Sequence, residues 1–164
     1  MLIGQASFGD IKANRGNPES ASNSLSAPID VAFGGNELYV ADANNNRVLS
    51  FANSSFQVSG TASRVIGQLD FPFSAVNLIE GHEFNFAFAS GYYGAVAMDS
   101  SVVPARLYVA DTFNHRILGF SNFAALRNGD FPDLVIGQPD FKRNHRNSAR
   151  HSLSLRSRPQ ALTK

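Results

Sequence analysis

The stretch Tyr39-Val-Ala-Asp-Ala-Asn-Asn-Asn-Arg-Val-Leu-Ser-Phe51 returns 69 residues later as Tyr108-Val-Ala-Asp-Thr-Phe-Asn-His-Arg-Ile-Leu-Gly-Phe120. A second phrase accompanies it, at Leu2-Ile-Gly-Gln5, Val65-Ile-Gly-Gln68 and Val135-Ile-Gly-Gln138. Repetition over this distance indicates a supersecondary unit that buries its apolar side chains against copies of itself. The sequence therefore predicts architecture in more detail than it predicts function.

Each copy of the unit carries four short strand signals, separated by Gly-, Asn- or Asp-rich turns or by polar loops. The apolar residues within them are consecutive rather than alternating, which is typical of strands that are buried on both faces. Four short strands joined in this way correspond to one blade of a β-propeller, so the sequence predicts an all-β fold with two blades of four-stranded antiparallel sheet. Blade one covers 29–68, with strands at 29–33, 38–41, 47–51 and 64–67, and blade two covers 94–138, with strands at 94–99, 107–110, 116–120 and 134–137.

The remaining segments are predicted to flank these two blades. Residues 1–5 match the last strand of the unit without the strands that precede it, so we interpret them as an orphan outer strand. Residues 139–164 are interpreted as a connection and the start of a third blade, because Asn144-His-Arg-Asn147 and Pro159 repeat the order of Asn14-Arg-Gly-Asn17 and Pro28. Closed propellers have roughly four to eight blades. We therefore expect an incomplete ring, either a fragment of a larger propeller or a short subunit that closes a ring by self-association.

The duplicated stretch resembles the NHL repeat, which is one blade of a β-propeller, and the resemblance covers nearly the whole chain. The Ile-Gly-Gln-x-Asp-Phe phrase with long spacers is similar to that of large bacterial NHL-repeat proteins, which are often exported. The resemblance implies a six-bladed ring, a binding or scaffold role and a parent protein outside the cytoplasm. The first copy has Asn46 where the family has histidine, and the matching residues are Asp42, Asn45, Arg47, Val48 and Leu49 in the first copy and Asp111, Asn114, His115, Arg116, Ile117 and Leu118 in the second.

The polar residues that recur in each copy are interpreted as blade architecture. The aspartate ends a strand, where its carboxylate can accept backbone N–H groups and fix the turn. The third residue after it, an asparagine, is expected in the left-handed conformation that asparagine tolerates, and the arginine is expected to return to the aspartate or to a carbonyl of a neighbouring blade. Gln68 and Gln138 follow a glycine and are predicted to pair with backbone groups between units. No catalytic residue is assigned, because repetition in every blade is what a stacking unit requires.

One cluster of acid and histidine residues, His82 and Glu83 with Glu80 beside them, is a candidate metal site. The NHL resemblance supports the idea, because some NHL-like propellers are lyases or hydrolases with metal-binding histidines around the central channel. A zinc site requires about four ligands at set spacings, and this cluster alone supplies too few. We therefore interpret it as a solvated loop and keep a fragment of a metal-dependent propeller lyase or hydrolase as an alternative function.

Basic residues are concentrated near one end of the chain. Residues 142–164 contain seven of the fourteen Lys and Arg and no Asp or Glu, although the formal net charge of the chain is only +1. Basic patches can bind phosphates, and some NHL propellers bind RNA on a basic face, so RNA binding is a second alternative. The segment has no aromatic residue beyond Phe141 for base stacking, and we interpret it as a solvated connection. The candidate contacts are Lys142, Arg143, Arg146 and Arg150.

Several function classes lack their sequence signals. The chain has no cysteine, so disulfide and thiolate chemistry are excluded. Residues 1–20 lack the pattern of a secretory signal, and no apolar run approaches the ~20 residues of a membrane helix. Neither a phosphate-binding loop nor a nucleophile elbow is present. The first hypothesis is therefore a non-catalytic binding or scaffold module without a cofactor, with a protein or small-ligand partner.

Overall fold

The computed structural model describes residues 2–53, 58–76 and 81–146, together with the backbone of 154–155. In these ranges the chain is all-β, and its helical elements are short 3₁₀ turns such as Ala43–Asn45 and Thr112–Asn114. The prediction of an all-β fold with antiparallel sheets is confirmed. Within the same ranges, no helix is long and apolar enough to cross a membrane.

Two large antiparallel sheets contain the two copies of the repeated unit. In each sheet the four strands of the unit lie side by side in chain order. Sheet one consists of β2 (Pro28–Gly34), β3 (Glu37–Asp42), β4 (Arg47–Ala52) and β6 (Arg64–Ile66). Sheet two consists of β9 (Ala95–Asp99), β10 (Arg106–Asp111), β11 (Arg116–Phe120) and β12 (Leu134–Ile136), to whose outer edge β13 (Ser154–Leu155) adds a fifth strand.

Two smaller strand pairs lie outside these sheets. The N-terminal strand β1 (Leu2–Ile3) pairs in parallel with β5 (Val58–Gly60), which belongs to the connection between β4 and β6. In the connection between the two sheets, β7 (Ala87–Phe88) and β8 (Gly91–Tyr92) form a hairpin. The described part of the chain does not close into a ring.

The two sheets pack face to face, and corresponding faces of the two sheets look in the same direction. Because side chains alternate between the faces of a strand, each sheet has a downstream face, which looks toward the next repeat, and an upstream face, which looks toward the previous one. The two faces meet in one apolar core, which also contains Phe84 and Phe86 from the connection. The downstream face of sheet one contributes Tyr39, Ala41, Val48 and Ile66, and the upstream face of sheet two contributes Val96, Leu107, Val109, Leu118 and Val135.

The upstream face of sheet one has a smaller core of its own. Val40, Leu49, Phe51 and Val65 are buried there against residues of the flanking connections, including Ile3 and Leu25. The exposed part of this face is at the first strand, where Val31 is 59% and Phe33 61% exposed. Sheet one is thus covered on its upstream side only over the strands β3, β4 and β6.

The Ile-Gly phrase packs in the same manner at two levels of the structure. Gly4 lies against Leu25 so closely that a Cβ atom on it would stand 2.7 Å from the Leu25 side chain. Gly67 lies against Phe84 in the same way, with a corresponding distance of 2.3 Å, and both glycines have left-handed φ angles, of +86° and +85°. Residues 3–4 therefore pack against the upstream core of sheet one and the connection before it, as residues 66–67 pack against the shared core and the connection before sheet two.

Polar contacts also join the two sheets. Glu37 accepts hydrogen bonds from Tyr39 Oη at 2.8 Å and Ser50 Oγ at 2.7 Å, and it forms an ion pair with Arg64. Burial acts to raise the pKa of Glu37, but the hydrogen bonds from Ser50, Tyr39 and Arg64 outweigh it and hold the pKa below its ordinary value. Arg64 Nη1 then donates to the carbonyl of Phe123, 2.9 Å away, in the connection that follows β11. Sheet one is thereby tied to a loop of sheet two.

The first strands of the two sheets are linked by Asp30, whose Oδ2 accepts a hydrogen bond from the Val96 backbone N–H at 2.8 Å. We expect Asp30→Ala to lower the free energy of unfolding by about 1–3 kcal/mol, because a donor beside the buried Val96 side chain loses its partner. Urea unfolding followed by circular dichroism measures the change. The matched control is Asp30→Asn, which keeps an acceptor oxygen and should retain most of the stability. Equal losses in the two variants would contradict the assigned hydrogen bond.

Candidate functional site

The first repeated turn places three polar side chains in the protein interior. Asp42 lies at the end of β3, and its Oδ2 accepts hydrogen bonds from Arg47 Nε at 2.8 Å and Asn45 Nδ2 at 2.7 Å. Its Oδ1 accepts the backbone N–H of Ser26 at 2.6 Å. Asp42 and Arg47 have no exposed side-chain surface. The carboxylate is thus bonded to three donors and has no exposed surface at which a ligand could reach it.

The remaining donors of Arg47 bind backbone carbonyls of the flanking connections. Nη2 donates to the carbonyls of Ala21 and Ser24, both at 3.0 Å, and Nη1 donates to the carbonyl of Phe71 at 2.5 Å. The first two carbonyls precede sheet one in the chain and the third follows it. One guanidinium therefore holds both connections against the same turn.

The second turn repeats this arrangement. Asp111 Oδ2 accepts from Arg116 Nε at 2.6 Å and Asn114 Nδ2 at 2.9 Å, and Oδ1 accepts the backbone N–H of Asn85 at 2.7 Å. Arg116 donates to the carbonyls of Phe141 and Glu83, at 2.5 and 3.1 Å. We refer to each set of Asp, Asn and Arg with these backbone partners as an Asp-Asn-Arg network.

The electrostatics of the networks follow from their burial. Burial raises the pKa of the Asp42 and Asp111 carboxyls, while the neighbouring arginine and the hydrogen bonds to each carboxylate act in the opposite direction. Burial also lowers the pKa of Arg47, against the attraction of Asp42. Each pair is buried away from water. In such a buried site, either charge without its partner would be strongly unfavourable.

The recurrent glutamines also bind backbone groups. Gln68 Nε2 donates to the carbonyls of Ala75 at 2.7 Å and Asn46 at 3.0 Å. Gln138 Nε2 donates to the carbonyl of His145 at 2.9 Å, again seven residues later in the chain, and to the carbonyl of His115 at 3.2 Å. Each glutamine thus joins the end of its sheet to the repeated turn and to the next connection.

The left-handed residue of the turn is not the one predicted. Asn46 and His115 have positive φ angles, of 48° and 53°, whereas Asn45 and Asn114 lie inside the 3₁₀ turns. The prediction for Asn45 and Asn114 was therefore wrong by one residue. The 3₁₀ turn delays the reversal of the chain by one position. The preceding asparagine, Asn45 or Asn114, instead directs its side-chain amide inward to the aspartate.

The interpretation of His82 and Glu83 as a solvated loop is wrong, because the two residues are 0% and 3% exposed. The carbonyl of Glu83 is bound by Arg116, and Phe84 lies in the core, so the segment is pulled against sheet two. His82 Nε2 lies 3.2 Å from Glu83 Oε1, and the rings of His82 and Phe131 form a T-shaped contact with their centroids 4.5 Å apart. Across the ranges that the structure describes, no three His, Asp or Glu side chains come together as a metal site would require.

The basic candidates lie on the surface as far as the structure describes them. Lys142, Arg143 and Arg146 are exposed. Arg143 Nε lies 3.3 Å from Asp140 Oδ2, which neutralises part of the local charge. Arg150 lies outside the described residues.

A patch of exposed aromatic rings was missed by the sequence analysis. The rings of Phe88 and Phe113 are 5.4 Å apart, and those of Tyr93 and Phe113 are 5.9 Å apart. Phe88 is 66% exposed and Tyr93 51%, while Phe113 between them is half-buried. The backbone N–H of Phe113 donates to the carbonyl of Asn85 at 3.2 Å, which fixes the second turn beside the β7–β8 hairpin. The sequence signal was Phe113 itself, since the first copy has the polar Asn44 at this position.

Comparison of the chain with protein-family models and with curated proteins finds no match.

Proposed function

We propose that this chain is part of a β-propeller of the NHL type and acts as a non-catalytic binding or scaffold module. The propeller is supported by two sheets whose strands follow the same order. The first strand of each sheet lies at its edge, and these two strands, β2 and β9, lie against each other. NHL membership is supported by the Asp, Asn and Arg residues that the resemblance singled out. Both sheets use these residues to attach their connections to the sheet.

The same networks support a non-catalytic role. The carboxylates of Asp42 and Asp111 each bind three donors. The guanidinium groups bind the aspartate and backbone carbonyls. A catalytic acid, base or anion-binding group must reach the reacting atoms of the substrate. These buried groups instead satisfy one another, as in a structural element that is repeated in every unit.

The observation that supports a binding role is the aromatic patch of Phe88, Tyr93 and Phe113. Exposed aromatic side chains that touch one another offer apolar area at low entropic cost, and protein interfaces are enriched in them. The three rings carry no charge, so the patch suits apolar side chains of a protein segment better than phosphates. We therefore propose a protein segment with apolar anchor residues as the partner.

Selection of a random phage-displayed peptide library on the immobilised chain tests this role. Peptides bound at the patch should lose at least about tenfold in affinity against Phe88→Ser and Phe113→Ser, because interface aromatics carry a large share of binding energy. The matched control is Val103→Ser, which removes a 99% exposed apolar side chain from the β9–β10 loop, at the opposite end of the strands from the turn that holds Phe113. Failure to select any peptide, or equal affinity for all three variants, would contradict the proposal.

A further inference from the structure

The downstream face of sheet two repeats the downstream face of sheet one but is less covered. On sheet one, Val48 is 0% and Ile66 1% exposed, because sheet two packs on them. At the equivalent positions of sheet two, Ile117 is 39% and Ile136 38% exposed. This face therefore exposes side chains whose counterparts on sheet one are fully buried by the contact with sheet two.

A complementary surface is exposed at the other end of the stack. Val31 and Phe33, on the upstream face of sheet one, occupy the strand positions that Val96 and Met98 occupy on sheet two. Val96 and Met98 pack in the core between the two sheets, with Val96 only 5% exposed. Val31 and Phe33, in contrast, are 59% and 61% exposed. The chain thus carries both halves of its own internal interface, and in the described residues each half is exposed at the side chains named here.

We propose that the downstream face of sheet two binds the upstream face of sheet one in a second copy of this chain. The contact between sheets one and two supplies the geometry, since the residues of each half correspond by strand position. The two surfaces differ, so the contact is head to tail. An open assembly therefore keeps one free surface at each of its two ends. Contacts of this kind extend into chains or close into rings.

One segment of the second copy competes for the same place. Ile3 packs in the upstream core of sheet one and Gly4 packs against Leu25, where a neighbour would place Ile136 and Gly137. Ile66 and Gly67 occupy the equivalent place before sheet two, in the shared core and against Phe84. The strand β1 is held by a pairing of only two residues with β5. A bound copy can therefore displace it. Ile3→Ser should weaken this competition and make the association tighter.

Sedimentation velocity of the full chain over a range of concentrations tests the proposal, which depends on sheet packing and not on the role of the aromatic patch. The wild-type chain should increase in mass with concentration. Ile117→Asp damages the downstream face and Phe33→Asp the upstream face, and either charge in an apolar interface should weaken association by about a hundredfold. An equimolar mixture of the two variants should form a dimer and nothing larger, because only one intact pair of surfaces remains.

The controls separate this contact from general stickiness and from misfolding. Val103→Asp changes a 99% exposed side chain away from both faces and should associate like the wild type. Circular dichroism and thermal unfolding should show that all variants are folded, since Ile117 and Phe33 are themselves exposed. A wild-type chain that stays monomeric at every concentration, or a mixture of the two variants that forms no dimer, would overturn the proposal. Loss of association in Val103→Asp would also overturn it.

Discussion

Arg47→Ala is expected to lower the free energy of unfolding by about 3–5 kcal/mol, which is the range for removing one partner of a buried ion pair. The variant leaves the carboxylate of Asp42 without its charged partner, although the side chain has no exposed surface. It also removes the donors that bind the carbonyls of Ala21, Ser24 and Phe71. Urea unfolding followed by circular dichroism at neutral pH measures the loss.

Three further variants show where this loss originates. Arg47→Lys keeps the charge but not the planar group that reaches several acceptors, so its loss should be intermediate. Asp42→Ala combined with Arg47→Ala should cost less than the sum of the single variants, because the double variant leaves no unpaired charge. Arg127→Ala changes an exposed arginine and should alter stability by no more than about 0.5 kcal/mol. A loss below about 1 kcal/mol in Arg47→Ala would contradict the role assigned to the first Asp-Asn-Arg network.

Gly67→Ala is expected to cost about 2–5 kcal/mol, as the sum of two effects. The φ angle of +85° is one that side chains with a Cβ rarely adopt, and this strain contributes about 1–2 kcal/mol. The new Cβ would also stand 2.3 Å from the Phe84 ring, and overpacking of a core costs about 1–3 kcal/mol. The free energy of unfolding in urea again measures the result.

Gly9→Ala is the matched control for this variant, since its Cβ would meet no atom closer than 3.9 Å and its φ angle is ordinary. It should change stability by less than about 0.5 kcal/mol. Adding Phe84→Leu to Gly67→Ala should restore part of the loss, because the smaller side chain relieves the clash and leaves the backbone strain. Equal stability of Gly67→Ala and Gly9→Ala would show that the Ile-Gly phrase does not require its close approach to the next unit.

Local features of the fold could be predicted from the sequence, because the signals lie within a few residues of the structure they determine. The strands predicted at 29–33 and 38–41 correspond to β2 and β3, with a tight turn between them. The return of Arg47 to Asp42 spans five residues and could also be anticipated. The position of the left-handed residue could not, because it depends on whether the turn first makes a 3₁₀ helix, which moves the reversal from Asn45 to Asn46.

Features that depend on distant residues could not be predicted. The burial of His82 comes partly from Phe131, which is 49 residues away in the chain. The aromatic patch depends on the second turn meeting the β7–β8 hairpin. The sequence shows the aromatic residues but not which of them come together. The carbonyls bound by Arg47 and Arg116 carry no sequence signal, because every residue has one.

The arginines of the two networks bind their connections through main-chain oxygens, and this choice has an evolutionary consequence. A carbonyl is retained through any substitution, so mutations in the connections leave the attachment intact. The segments 6–28 and 69–93 share little sequence, yet they are anchored in the same way. Gene duplication can therefore copy the unit while its connections drift freely. New recognition surfaces can then arise in these segments without loss of the sheets that hold them.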